Sequence, residues 1–221
     1  MCAGASTYEA LQAAGTKPSD RVGVVGIGGL GHMANVFARA MGYSVTAVTR
    51  DEYKYRDLFR LGADEVRIDR GGTLDLATFP SSVGGELGPT YGILPDPMHI
   101  DVLLITSNAV RDLEACFPLL ARRAKIVLMT IQTDPIKIPY MPFILPGHRL
   151  VASTEASHHN HFEMLEFVES HRIEPLVETF PMTLEGAMRA FDRLEKGEMR
   201  YRGVLVREDE EQTRKRRREY C

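Results

Sequence analysis

The chain is poor in cysteine and has no tryptophan. Its 221 residues include three cysteines, Cys2, Cys116 and Cys221, an odd number scattered along the sequence. That argues against a disulfide framework and leads us to expect a reducing, cytoplasmic setting. No apolar run approaches the ~18 residues that a membrane-spanning helix needs. Residues Met1–Ala5 lack the basic region and apolar stretch of a secretory leader, so none is expected. An excess of one charge is missing too: Lys+Arg 27 against Asp+Glu 30 leaves a net charge of −3, which offers no electrostatic case for nucleic acid. No internal repeat of solenoid or propeller period is present. What remains, 44% hydrophobic and 26% charged residues, is the composition of a globular protein rather than a disordered one. The length suits one domain with a real core, or one and a half domains, but not two full ones.

The hydrophobic pattern alternates between strand and helix. Residues 5–14 read as a short helix. Arg21–Val25, Ser44–Val48, Val66–Asp69, Ile100–Thr106, Lys125–Thr130 and Leu150–Ala152 read as strands. Helices are expected at His32–Met41, Asp51–Leu61 and Arg111–Leu120, with Gly42 and Gly62 closing the first two. Residues 70–99 and the proline-rich 135–146 read as connections. Strands and helices at this pitch predict an α/β fold with a mainly parallel, doubly wound sheet of Rossmann type. After Ser153 the grammar changes: Phe162–His171 and Leu184–Glu195 are amphipathic, with short strands at Leu176–Phe180 and Gly203–Arg207. The mixed-charge residues 208–221 read as a disordered tail.

Gly26-Ile27-Gly28-Gly29-Leu30-Gly31 has the spacing G-x-G-x-x-G, directly after a strand and opening a helix. In that context Gly26 permits the tight turn and Gly28 lets the backbone approach a pyrophosphate. Gly31 lets helix and strand pack closely, and the helix N–H groups face the anion. The loop therefore predicts a dinucleotide. At the end of the second strand stand Thr49 and Arg50, with Lys54 one turn on. A hydroxyl followed by cations suits a 2′-phosphate, and NADP(H) is the expected cofactor. Asp51 and Glu52 leave open a contact to the ribose itself. The cluster His158-His159-Asn160-His161, with Glu155 and Glu163 nearby, reads as a polar loop entering the next helix, because adjacent histidines diverge. His32 and His148 read as structural.

Cys2-Ala3-Gly4, Arg21–Gly42 with its Gly-Leu-Gly-His, Leu61-Gly62-Ala63-Asp64-Glu65-Val66, Lys125–Met129 and Arg200–Val206 resemble the zinc-dependent medium-chain alcohol dehydrogenases. The cinnamyl-alcohol-dehydrogenase-like, NADP-preferring branch is the most similar. The resemblance runs from Cys2 to about Arg207. It implies a Rossmann NADP-binding domain over 17–154, flanked by parts of a catalytic lobe at 1–16 and 155–207. It further implies a family member reduced to its cofactor-binding half, without the N-terminal GroES-like domain that supplies two catalytic zinc ligands and the structural zinc cysteines. By family position Cys2 is the third zinc ligand. Since a catalytic zinc takes three protein ligands, Cys2 is expected to hold none and zinc is not expected.

The resemblance also implies cofactor contacts at Thr106 and Ser107, at Thr130 and Ile131, and at Arg202. Ser6 and Thr154 would lie near the nicotinamide. Without zinc, a hydroxyl or imidazole must polarise a carbonyl, and Ser6, Thr154 and His158 are the candidates. The expected substrate is a small alcohol, aldehyde or enal. The alternative is a non-redox pseudoenzyme, or a truncated homologue recruited as a partner subunit or to a cyclisation or isomerisation. Apolar faces on the last helices (Phe162, Leu165, Phe167, Val168; Leu184, Met188, Phe191, Leu194) and the strand at Leu150–Ala152 predict a homodimer or a partner-bound subunit. If the helices instead fold back on the chain's own sheet, that need disappears.

Overall fold

A computed structural model describes residues 1–69, 99–107, 113–133 and 135–207. Helix α1 (Cys2–Ala13) leads to β1 (Arg21–Val25), α2 (Gly31–Ala40) and β2 (Ser44–Thr49). A 3₁₀ turn at Glu52–Lys54 runs into α3 (Tyr55–Arg60), followed by β3 (Glu65–Ile68) and β4 (Ile100–Ile105). A second 3₁₀ stretch, Leu113–Leu119, enters β5 (Leu120–Leu128), then α4 (Tyr140–Ile144) and β6 (Arg149–Ala152). Helix α5 (His158–His171), β7 (Glu178–Pro181), α6 (Leu184–Glu195) and β8 (Gly203–Val206) complete the described chain.

The six-stranded sheet has the order β3-β2-β1-β4-β5-β6 and every pairing is parallel. This is the Rossmann order, with the reversal of winding between β1 and β4. Val22, Val24, Val45, Leu103, Leu104 and Ile126 are fully buried, as expected of strands covered on both faces. Each such side chain contributes about 1.5–3 kcal/mol relative to exposure. On one face α1 packs on α2, with Tyr8 set edge-on to Phe37 at 5.8 Å. Helix α5 joins them: Phe167 lies 5.7 Å from Tyr8 and 6.1 Å from Phe37, and Met164 packs over Gly4. The Leu61–Val66 motif also acquires a physical role. Gly62 ends α3 at φ 92°, which frees Asp64 to accept from the Val45 N–H (2.9 Å) and from Arg39 (3.0 Å).

Several elements depart from expectation. Helix α1 begins at Cys2 rather than residue 5, and α5 begins at His158 rather than Phe162 because Ser157 caps it, accepting from the Asn160 N–H (3.1 Å). The expected helix from Asp51 divides into a 3₁₀ turn and α3. Pro118 excludes an α-helix across 113–119, so that stretch is 3₁₀ and β5 starts at Leu120 instead of Lys125. The connection 135–146 contains α4, whose Pro142 sits in the first turn, where its missing N–H costs nothing. Residues 70–98 of the loop expected across 70–99, the start of the 111–120 helix and the tail 208–221 lie outside the described residues.

The chain divides into two compact units, residues 1–173 and 174 onward. The first therefore takes α5 with it, past the boundary expected at 154. The second, described to Arg207, pairs β7 and β8 in parallel beside α6, with Phe180 buried. No described helix is long and apolar enough to cross a membrane.

Candidate dinucleotide site

The glycine loop lies at the carboxyl ends of β1 and β4, where the winding of the sheet reverses. Gly26 has φ 90° and donates to the Val48 carbonyl (3.0 Å); a Cβ there would stand 2.7 Å from the Ser107 backbone. At Gly31 a Cβ would fall 2.1 Å from the Gly26 carbonyl oxygen. Gly28 is the opposite case: it is exposed, and a Cβ there would meet nothing within 4 Å. Two glycines thus serve the fold, and the third leaves room over the loop.

Side chains hold the loop from beneath. Thr106 is buried, and its hydroxyl donates to the carbonyls of Val25 and Gly26. His32 is fully buried, and its Nδ1–H donates to the Gly28 carbonyl (3.1 Å). Among the described residues no hydrogen bond satisfies the N–H groups of Gly29, Leu30 or Gly31, the first of α2. Open N–H groups at the positive end of a ten-residue helix make a cradle for a pyrophosphate. The residues present fit a bound dinucleotide.

At the end of β2, Thr49 is 3% exposed and its Oγ1 accepts from the Asp51 N–H (3.2 Å). Arg50 is exposed, with no hydrogen-bond or ion-pair partner among the described residues. Lys54 departs from expectation. It is 8% exposed, and its ammonium donates to the Ile27 carbonyl (3.1 Å) and pairs with Asp51 (2.6 Å). It is therefore turned into the loop rather than into solvent.

At the neighbouring strand ends, Ser107 is half-buried beside Gly26 and Ile131 is 87% exposed. Thr130 is half-buried, and its Oγ1 is buried with no hydrogen-bond partner among the described residues. A polar atom left unsatisfied at a strand end is a place for a ligand to bond. Arg202 is exposed and belongs to the second unit.

The candidate catalytic groups do not form one constellation. Ser6 is buried in α1, Thr154 is exposed after β6, and the His158 ring rests on Phe162 at 4.9 Å. Among the described residues no hydrogen bond joins any two of them. The histidine cluster disperses as expected for successive helical positions: His159 pairs with Glu163 (3.2 Å) and the His161 Nδ1–H donates to the Ser157 carbonyl (3.0 Å). Cys2 is an exposed free thiol, and no group of three or more His, Cys, Asp or Glu among the described residues is placed to hold a metal. A catalytic zinc does not fit this donor set.

With that geometry in view, the family model for zinc-binding dehydrogenases matches residues 29–170. The chain belongs to this family. It is 32% identical over 208 residues to cinnamyl alcohol dehydrogenase 2 of Rauvolfia serpentina, covering 93% of this chain and 52% of that protein. A solved cinnamyl alcohol dehydrogenase from Sorghum bicolor superposes with TM-score 0.75 at 29% identity, over 92% of this chain and 53% of that one. The cinnamyl alcohol dehydrogenase of Helicobacter pylori, solved with NADP(H), gives TM-score 0.71 at 25% identity, over 92% and 52%. The chain thus spans about half the length of the curated relatives it matches. The family match, residues 29–170, takes in the helix that follows the glycine loop and every strand of the parallel sheet except β1.

The loop and sheet were open to sequence reasoning because their signals are local. The supporting roles of His32, Thr106 and Lys54 were not, since each depends on which carbonyl lies opposite in space. The Gly-His pair after the loop is the one local signal among them.

Proposed function

We propose that this protein is an NADP(H)-binding oxidoreductase of the alcohol dehydrogenase type, acting on a small alcohol, aldehyde or enal. The observation that carries the reading is the glycine loop, open at Gly28 and lined by the unsatisfied N–H groups of Gly29, Leu30 and Gly31. Those groups would hold the pyrophosphate, and Ser107, Thr130 and Ile131 would line the path toward the nicotinamide. Thr49 and the exposed Arg50 would face the 2′-phosphate. The similarity to a structure solved with NADP(H) supports that choice of dinucleotide. When bound, the cofactor supplies or accepts the hydride. Because no group of ligands joins Cys2 among the described residues, the reading routes no step through zinc. Polarisation of the carbonyl falls to Ser6, Thr154 or His158, and this predicts slow turnover.

The dispersal of those three groups favours a second reading, a dinucleotide-binding protein without redox chemistry that serves as a partner subunit or in a cyclisation or isomerisation. NADPH oxidation by the metal-free protein, followed at 340 nm against a panel of aldehydes and enals, separates the two. Slow turnover lost on Gly28→Val supports the oxidoreductase. Cofactor binding with no turnover on any substrate overturns it and leaves the second.

We propose further that the protein is cytoplasmic and forms a homodimer through β6. Among the described residues this strand is paired by β5 alone, and Leu150 is 40% exposed. Light scattering of the protein at micromolar concentration should report a dimer that Leu150→Lys weakens; a stable monomer contradicts it.

A further inference from the structure

Lys54 is a buried ammonium, and a buried charge must be paired. Its two bonds connect separate pieces of chain: the Ile27 carbonyl between the first two glycines of the loop, and the Asp51 carboxylate that opens the turn after β2. Ile27 is itself 3% exposed, so this bond satisfies a carbonyl at a buried position. The Ile27–Gly28 peptide is trans and planar, so holding its C=O also fixes its N–H, which donates to the Gly26 carbonyl (3.2 Å) and closes the turn of the loop. The same ammonium neutralises Asp51, the carboxylate nearest in sequence to Thr49 and Arg50. Arg50, by contrast, is exposed and without a partner among the described residues.

We propose that Lys54 is a positioning residue which straps the glycine loop to the β2 turn, and that of the two cations it is Arg50, not Lys54, that discriminates for the 2′-phosphate. The inference deepens the NADP(H) reading and rests on it for its binding arm. A lysine strap serves any nicotinamide dinucleotide equally, because the loop it shapes meets the pyrophosphate common to both. A phosphate-binding cation would serve only the one with the extra charge.

The test uses Lys54→Met combined with Asp51→Asn, so that no carboxylate is left uncompensated, beside Arg50→Gln. Calorimetry gives Kd for NADPH and NADH, and hydrogen exchange without ligand reports on Gly26–Gly31. Loss of a charge-assisted bond should weaken both cofactors together, about tenfold, with their ratio unchanged. Exchange in the loop should accelerate. Arg50→Gln should weaken NADPH alone. Selective loss of NADPH in the Lys54 variant with loop exchange unchanged overturns the strap, as does an NADPH preference that survives Arg50→Gln. If the parent protein binds neither dinucleotide, the NADP(H) reading fails. The exchange measurement then still decides the strap: faster loop exchange in the variant supports it, and unchanged exchange overturns it. Arg50 is exposed, so its variant keeps the proposal testable if the Lys54 variant does not fold.

Discussion

Helices α5 and α6 look alike in sequence, each amphipathic with apolar residues at helical spacing, yet they end differently. Helix α5 lays Met164, 3% exposed, and Phe167 against α1 and α2, so its face is covered in part within residues 1–173, while Phe162 (58%) and Leu165 (41%) stay exposed. Helix α6 leaves Leu184 80%, Met188 64%, Phe191 67% and Leu194 60% exposed. Amphipathicity states that a face seeks cover and is silent on where the cover comes from. For α5 the answer is an aromatic triad assembled with Tyr8 and Phe37, residues far away in sequence. Within residues 174–207 α6 has no equivalent, and the apolar stripe is of the kind that marks interaction surfaces.

Changes in the first unit should cost far more than changes along α6. The largest effect is expected at Gly31, where a side chain meets the Gly26 carbonyl: Gly31→Val should destabilise by about 3 kcal/mol or prevent folding, read from the thermal midpoint. Met164→Ala should cost about 2–4 kcal/mol in denaturant unfolding, for lost burial and a cavity at the α1–α2–α5 junction. A smaller, pH-dependent effect belongs to His148. Its ring is buried near Phe117 and Phe143 and its Nδ1 has no partner among the described residues, so burial holds its pKa below the usual histidine value. The unfolded chain therefore takes up the proton first. Stability from this group is fully present above the unfolded pKa and is lost as pH falls through it toward the folded one. His148→Leu should flatten that decline in midpoint-versus-pH curves. The smallest effect is Met188→Ala on α6, within about 0.5 kcal/mol of the parent protein. A loss there matching that of Met164→Ala would show that the α6 stripe is covered in solution.

The same contrast explains what the sequence revealed. The element β1, the glycine loop and α2 were legible because a valine-rich strand, glycine spacing and helical periodicity are all local. The turn after β2 was less so: a continuous helix from Asp51 satisfies periodicity, but Lys54 is held against Ile27, 27 positions earlier in the chain. Pro118 was visible, yet its consequence, a 3₁₀ stretch and an early start to β5, follows from where β5 pairs with β4. Likewise Thr106 could be placed at the cofactor's crossing point, while its bonds to Val25 and Gly26 are a product of the sheet's register.

The central claim, a loop prepared for a dinucleotide, is tested most directly at Gly28, the glycine whose side-chain position is empty. Calorimetric titration of NADPH and NADH into the protein and into Gly28→Val should show NADPH binding, with weaker NADH binding, in the parent alone. The two proteins should unfold at the same temperature. Absence of binding in the parent, or undiminished binding in Gly28→Val, would contradict the assignment of this loop as the cofactor site.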